Sequence, residues 1–192
     1  ALLIGKGIYG VDVRQRGSGN IGATNVFRVL GKRAGALVFA VDLLKGFIPV
    51  YFSLNLPSYL SSNFSSVENV KLVAVLAAGA AIAGHTFPIF LRFKGGKGVA
   101  TGAGTILALM PTLFFITFAV FWVVLIATRT VSIASLTAVT ALCLEVIVTD
   151  QPTPYTVFTF MGAAVIFYAH RSNIKRLRNG EESQVTFPWN RK

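Results

Sequence analysis

The sequence predicts an all-α integral membrane protein with seven transmembrane helices, and three observations carry that expectation. Of 192 residues, 54% are hydrophobic and only 13% charged, against roughly a quarter charged in a soluble domain. Such a chain cannot cover itself with polar surface. Its apolar stretches approach the ~20 residues a helix needs to cross the hydrocarbon core. Finally, when those stretches are threaded alternately across a bilayer, nearly all the cations fall on one side, as they do in cytoplasmic loops.

Each element follows in chain order. The opening "ALLI" breaks at Gly5 and Lys6 and reads as the last turn of a helix whose beginning is missing, so the first helix is expected to be truncated. No basic flank, apolar stretch and cleavage site of a secretory signal is visible there. Apolar spans follow at about 34–52, 70–91, 99–110, 112–128, 131–148 and 153–169. The pair flanking Pro111 is short and needs a low tilt or a locally thin membrane to connect the two faces. Residues 5–33, 92–98, 129–130 and 170–192 then share one side, which holds 16 of the 18 lysines and arginines. Residues 53–69, 110–111 and 149–152 share the other, with only Lys71 at a helix mouth. The N-terminus is therefore expected outside and the C-terminus in the cytoplasm; an even number of spans would scramble the segregation.

One polytopic domain over residues 1–192 accommodates this, with functional loops near 5–33, 92–101 and 170–182 on the cytoplasmic face. The outer loop "SLNLPSYLSSNFSSVEN" reads as a solvated connector. Cys143 is the single cysteine, so no disulfide forms within the chain, and its apolar setting marks it as packing rather than a nucleophile. The net charge of +11 would suggest nucleic acid in a soluble protein. Topology accounts for it here, and no nucleic-acid partner is expected.

Three cytoplasmic stretches are more than charge runs. In "RQRGSGNIGATNVFR", residues 14–28, Gly17, Gly19 and Gly22 punctuate Ser18, Asn20, Thr24 and Asn25 before an apolar helix. Small residues let backbone amides approach a ligand, and a helix start favours an anion. Arg28 would share the helical face of Thr24 and Asn25. A glycine turn with an N-cap is the plainer reading. In "GHTFPIFLRFKGGKGVAT", residues 84–101, Gly95, Gly96 and Gly98 can present amides in a concave nest while Lys97 supplies a point charge. The nucleotide-binding phosphate loop does not fit: it needs a glycine where Leu91 stands and a hydroxyl where Gly98 stands, so neither ATP nor magnesium is expected. His85, among aromatics, reads as a helix-packing residue. In "HRSNIKRLRNGEE", residues 170–182, His170 and Asn173 share one helical face, although a basic amphipathic tail on anionic lipid would explain the arginines alone. Asp42 and Lys45, spaced i,i+3 inside a span, are costly unless paired or wetted, and are either an ion pair or a substrate contact. No carboxylate cluster suggests a metal, and no cofactor is expected.

Taken together, these stretches resemble the three cytoplasmic motifs of the bacterial acyl-phosphate:glycerol-3-phosphate acyltransferase family, PlsY, in order and spacing over nearly the whole chain. The H-x-x-x-x-D pattern of soluble-type glycerolipid acyltransferases is absent, since Phe90 follows His85 and Lys175 follows His170 by five. The resemblance implies a multi-pass bacterial plasma-membrane enzyme. It would move a fatty acyl group from acyl phosphate to the 1-hydroxyl of sn-glycerol 3-phosphate, giving lysophosphatidic acid and phosphate at the start of phospholipid synthesis. It also implies functional coupling to an enzyme that produces acyl phosphate. Carried over by position, Ser18, Lys97 and His170 are the catalytic candidates. Gly19, Asn20, Thr24, Asn25, Arg28, Gly95, Gly96, Gly98, Ser132 and Asn173 are substrate or phosphate ligands, and Glu182 is structural.

Acyl phosphate is a mixed anhydride, already activated, so direct attack by the glycerol hydroxyl is expected, with Lys97, loop amides and Ser18 stabilising phosphate and oxyanion. His170 as base, His170 as phosphate orienter and Ser18 as acylated nucleophile stay open at this level. An organic-phosphate or anion transporter would share the basic loops but should show broken helices in two related halves.

Overall fold

The computed structural model describes residues 1–55 and 67–186. Most of the expected outer connector and the last residues of the tail lie outside the described residues. All regular structure among the described residues is helical. The chain divides into two compact units, Ala1–Leu109 and Met110–Lys192.

The first unit contains α1 (Leu2–Tyr9), a 3-10 turn at Val13–Gln15, α2 (Ala23–Leu30), α3 (Lys32–Asn55), α4 (Val67–Thr86), a 3-10 turn at Ile89–Leu91 and α5 (Val99–Leu109). The expectation that the first helix ends near Ile4 is corrected: it runs to Tyr9 and stops at Gly10 in the left-handed conformation. Gly5 is no breaker there but a packing point. It is buried, its carbonyl accepts the Val11 N–H at 2.9 Å, and a β-carbon on it would stand 2.7 Å from the Val11 carbonyl oxygen. The stretch 5–33 is likewise not all loop, since α2 crosses it. Val13, Val26, Ala34 and Val38 form a buried apolar cluster beneath α2, with Leu2, Ile4, Ile21 and Leu30 packed on it.

The short helix α5 is held against α3 by two glycines. A β-carbon on Gly46 would stand 2.1 Å from the Thr101 carbonyl oxygen, and one on Gly104 would stand 2.0 Å from that of Leu43. Backbone thus meets backbone in both directions, the small-residue contact that helices use in lipid, where van der Waals packing replaces the hydrophobic drive. This contact anchors the start of α5, and with it the glycine loop, to a long apolar helix.

The second unit contains α6 (Pro111–Thr128), α7 (Val131–Val148), α8 (Thr153–Ala169) and α9 (Arg171–Arg178). Pro111 opens α6, where its missing N–H costs nothing. Along α6, Phe114 stacks on Phe118 and Phe118 meets Trp122 edge-on. Thr117 donates to Glu145 of α7 at 2.8 Å, a carboxylate inside an apolar helix that hydropathy alone did not single out.

Among the described residues, four helices are long and apolar enough to cross a membrane, over Lys32–Asn55, Glu68–Leu91, Pro111–Thr128 and Val131–Val148, while Val99–Leu109 and Thr153–Ala169 are shorter apolar helices. At 1.5 Å per residue, the 11 residues of α5 reach ~16 Å, about half the hydrocarbon thickness. Large apolar side chains on these helices face outward: Leu76, Phe115, Val123, Leu144 and Met161 are each 61% to 67% exposed. Their backbone polar groups are satisfied internally by helix hydrogen bonds, as a lipid environment demands.

Candidate active site

The first motif is a loop built around one buried amide. Asn25, in the first turn of α2 and 2% exposed, donates from Nδ2 to the carbonyls of Val13 at 2.9 Å, Arg16 at 3.1 Å and Asn20 at 2.9 Å. Its Oδ1 accepts the Ser18 N–H at 2.9 Å. Gly17 allows this with φ of 61°, since a β-carbon there would lie 2.3 Å from Asn25 Oδ1. The Asn20 side chain accepts the Gly22 N–H at 2.8 Å and shapes the entry to α2. Asn25, read from sequence as a ligand residue, thus spends its amide protons on the backbone that presents Ser18 and Asn20. Ser18, Thr24 and Arg28 are exposed, the last two being four residues apart on α2.

A residue not singled out from sequence braces the other end of this loop. Asp12 accepts the Arg14 backbone N–H at 3.0 Å and its guanidinium at 3.0 and 2.7 Å, and pairs with Lys6 at 3.1 Å. The Arg14 hydrogen bond holds the Asp12 carboxyl far below the ordinary carboxylate range. The D-x-R spacing is the signal that could have found it.

The second motif lies across the end of α4. Gly96 donates its N–H to the His85 carbonyl at 3.1 Å, so that amide serves the loop itself. Gly98 has φ of 80°, and its carbonyl accepts the Gly102 N–H at 2.7 Å, which starts α5. The first amides of α5 have no intrahelical acceptor, and the helix dipole favours an anion beside them. Lys97, half-buried, precedes them by two residues. Behind the loop, Lys45 donates to Asp42 and contacts His85 Nδ1. Asp42 is 4% exposed and lies 3.6 Å from the same imidazole nitrogen. The ion-pair reading of Asp42 and Lys45 therefore has a third member in His85.

The third motif surrounds the α8 to α9 junction. His170 is 2% exposed, and its Nδ1 lies 2.8 Å from the Ile166 carbonyl oxygen. A carbonyl only accepts, so Nδ1 donates to it and the ring is held in place by α8. Glu182 accepts from Asn173, from Ser132 at 2.8 Å and from Arg176 at 2.7 Å, tying the segment after α9 to the start of α7. The Val185 N–H adds a bond to the Arg129 carbonyl at 2.7 Å. Asn173 is 4% exposed, and its Oδ1 is buried with no hydrogen-bond partner among the described residues. Buried acceptors of this kind are uncommon and call for a donor, such as a ligand hydroxyl. Ser132, expected as a ligand, instead gives its hydroxyl to Glu182.

Burial alone would raise the Glu182 carboxyl, but hydrogen bonds from Asn173, Ser132 and Arg176 outweigh it and hold the group below its ordinary value of 4.5. With the folded-state value depressed, the unfolded chain binds more protons in the window between that value and its own ordinary one. The contribution is therefore complete above about pH 4.5 and lost as pH falls through the folded value. Glu182→Gln is expected to melt earlier than the parent at neutral pH, and the gap should narrow in acid. Thermal melts of detergent-solubilised protein across that range check this; an unchanged gap would remove the charge from the account.

The model of the family described as glycerol-3-phosphate acyltransferase matches residues 1–180. A glycerol-3-phosphate acyltransferase from Endomicrobium trichonymphae is 44% identical over 96% of this chain and 87% of its own. One from Geobacillus kaustophilus is 40% identical over 99% and 90%. Among solved structures, PlsY (YgiH), an integral membrane glycerol 3-phosphate acyltransferase, is similar in its glycerol 3-phosphate form with a TM-score of 0.85 and 38% identity, covering 96% of this chain and 87% of that one. Its lysophosphatidic acid form gives a TM-score of 0.82.

Proposed function

The chain belongs to the glycerol-3-phosphate acyltransferase family, and from that premise we propose how its residues share the reaction. It is a membrane acyltransferase acting on glycerol 3-phosphate, and the transporter reading is not favoured. Beyond this, acyl phosphate is the donor, lysophosphatidic acid and phosphate are the products, and supply of the donor couples the enzyme to one that makes acyl phosphate. The chain crosses a bacterial plasma membrane seven times, N-terminus outside, with all three motifs at the cytoplasmic face. The asymmetry of lysine and arginine supports that orientation.

The observation that carries the site reading is the second motif: a lysine just before the N-terminus of a helix anchored on α3, whose first amides need acceptors outside the helix. That is a phosphate seat. It takes the phosphate of the acyl phosphate, whose acyl chain extends into lipid, while Arg28 takes the phosphate of glycerol 3-phosphate. A glycerol hydroxyl donates to Asn173 Oδ1, the buried acceptor without a hydrogen-bond partner among the described residues. The C1 oxygen then attacks the acyl carbonyl and forms the new ester. The bond from the acyl carbon to the phosphate oxygen breaks, and phosphate leaves with the electron pair. The hydroxyl proton passes to His170, whose ring is oriented by the contact between Nδ1 and the Ile166 carbonyl. Lys97, the loop amides and Ser18 stabilise negative charge on the oxyanion and the departing phosphate. Asn25, Asn20 and Glu182 hold the backbone that presents these groups.

Direct attack predicts that no acyl-enzyme forms. Purified protein incubated with acyl phosphate labelled in its acyl chain, without glycerol 3-phosphate, should carry no label. A label on the protein that disappears in Ser18→Ala would replace this scheme by a two-step one through an acylated serine.

A further inference from the structure

The helix α9 has two faces, and only one of them has a part in the site. Asn173 and Arg176 turn inward to Glu182. At 3.6 residues per turn, Arg171, Lys175 and Arg178 fall together within an arc of about 60° on the far side and span ~10 Å along the axis. All three are exposed. None of them makes an ion pair among the described residues. The nearby carboxylates leave the stripe uncovered: Glu182 is taken by Arg176 on the inner face, and Glu181 is exposed and paired with none of the three.

The start of this stripe is fixed at the end of an apolar helix. The Arg171 guanidinium lies over the Tyr168 ring, 4.4 Å from its centroid, and donates to the Tyr168 carbonyl at 3.1 Å. Tyr168 stands in the last turn of α8 and is 57% exposed. A tyrosine at the end of an apolar membrane helix belongs at headgroup level, where its ring meets hydrocarbon and its hydroxyl meets water. The first cation of α9 is thereby held at that level. A fourth lies at the same end of these helices: Arg129 closes α6 in the left-handed conformation, is exposed, and accepts at its carbonyl the Val185 N–H from the segment after α9. At the opposite end, the turn between α7 and α8 exposes the acidic Asp150 instead.

We propose that the outer face of α9, with Arg129 at the same end, is a docking surface for the headgroups of anionic phospholipids. Charge complementarity and depth both argue for this occupant. Lipid phosphates lie at the level to which Tyr168 holds Arg171, and each cation near an anionic membrane surface strengthens association ~5-fold. Arginine also presents paired donors to phosphate oxygens. Because the inner face of the same helix carries Asn173, a bound headgroup steadies the element that presents that residue. The surface stands apart from the reacting groups, so it holds whichever way the roles in the reaction are divided.

The test titrates full-length protein, purified in a neutral detergent, with phosphatidylglycerol or with phosphatidylcholine, and reads bound lipid by native mass spectrometry alongside thermal melts. The parent should bind the anionic lipid more tightly and melt later with it, and the preference should shrink as salt is raised. Lys175→Gln with Arg178→Gln should cut the preference ~25-fold, two cations at ~5-fold each. Activity of that variant in detergent without anionic lipid should stay at the parental level. Lys32→Gln with Arg33→Gln removes the same charge from the start of α3 and should leave most of the preference in place. An unchanged preference in the α9 variant overturns the proposal. So does an equal loss in both variants, which would make the effect one of net charge. A rise in melting temperature from inorganic phosphate equal to that from the lipid, and lost in the α9 variant, would make the stripe a site for soluble anions and overturn the membrane reading.

Discussion

His170→Ala is expected to lower turnover at saturating substrates by ~100- to 10,000-fold, the usual cost of losing a general base. In the proposed scheme His170 takes the hydroxyl proton, and the hydrogen bond between Nδ1 and the Ile166 carbonyl orients its ring for that role. A base must also give up its own proton before it can take one. The parent enzyme should therefore lose turnover as pH falls and the imidazolium forms, and the variant should lose that acid limb along with most of its rate. Steady-state rates across pH, at saturating glycerol 3-phosphate and acyl phosphate, check both parts. Near-parental turnover in the variant would take the base role from His170 and leave the proton to the substrate phosphate. The neighbouring Asn173→Ala removes a buried acceptor and should instead raise the KM for glycerol 3-phosphate.

Lys97→Ala is expected to lower kcat/KM for acyl phosphate by ~100- to 1,000-fold, as removal of a single preorganised donor to developing charge does. In the proposed scheme Lys97 acts in both states, neutralising the bound phosphate and meeting the larger charge as the leaving group departs. Both KM for acyl phosphate and kcat should therefore suffer, while the KM for glycerol 3-phosphate holds. Arginine at this position should restore only part of the activity, because a planar fork does not replace a compact ammonium in a loop built of glycines. Initial rates over a range of acyl phosphate at fixed glycerol 3-phosphate settle it. A variant altered only toward glycerol 3-phosphate would move Lys97 to the acceptor.

The long apolar helices α3, α4, α6 and α7 follow directly from hydropathy, because their apolar runs leave no competing period. The first helix was misjudged at Gly5, where a glycine marks close packing against Val11 rather than a break. The helix after Gly22 is legible from its glycines and from Thr24, Asn25 and Arg28, and α2 is found there as Ala23–Leu30, separate from α3. At the site, residue types singled out three stretches, but the contacts within them join residues distant in sequence. Asn25 reaches back 12 residues to Val13, and Lys45 reaches 40 residues forward to His85. No spacing rule reports such pairs. Glu182 was placed as structural by resemblance alone; the three donors around its carboxylate give that role a physical content.

The central claim is that this chain transfers an acyl group to glycerol 3-phosphate from an acyl phosphate that needs no thioester. Purified protein given labelled glycerol 3-phosphate with acyl phosphate in one arm and acyl-coenzyme A in the other tests it most directly. Labelled lysophosphatidic acid in the acyl phosphate arm alone, strongly reduced by Lys97→Ala, is the predicted result; product from the thioester alone, or from neither donor, would contradict it.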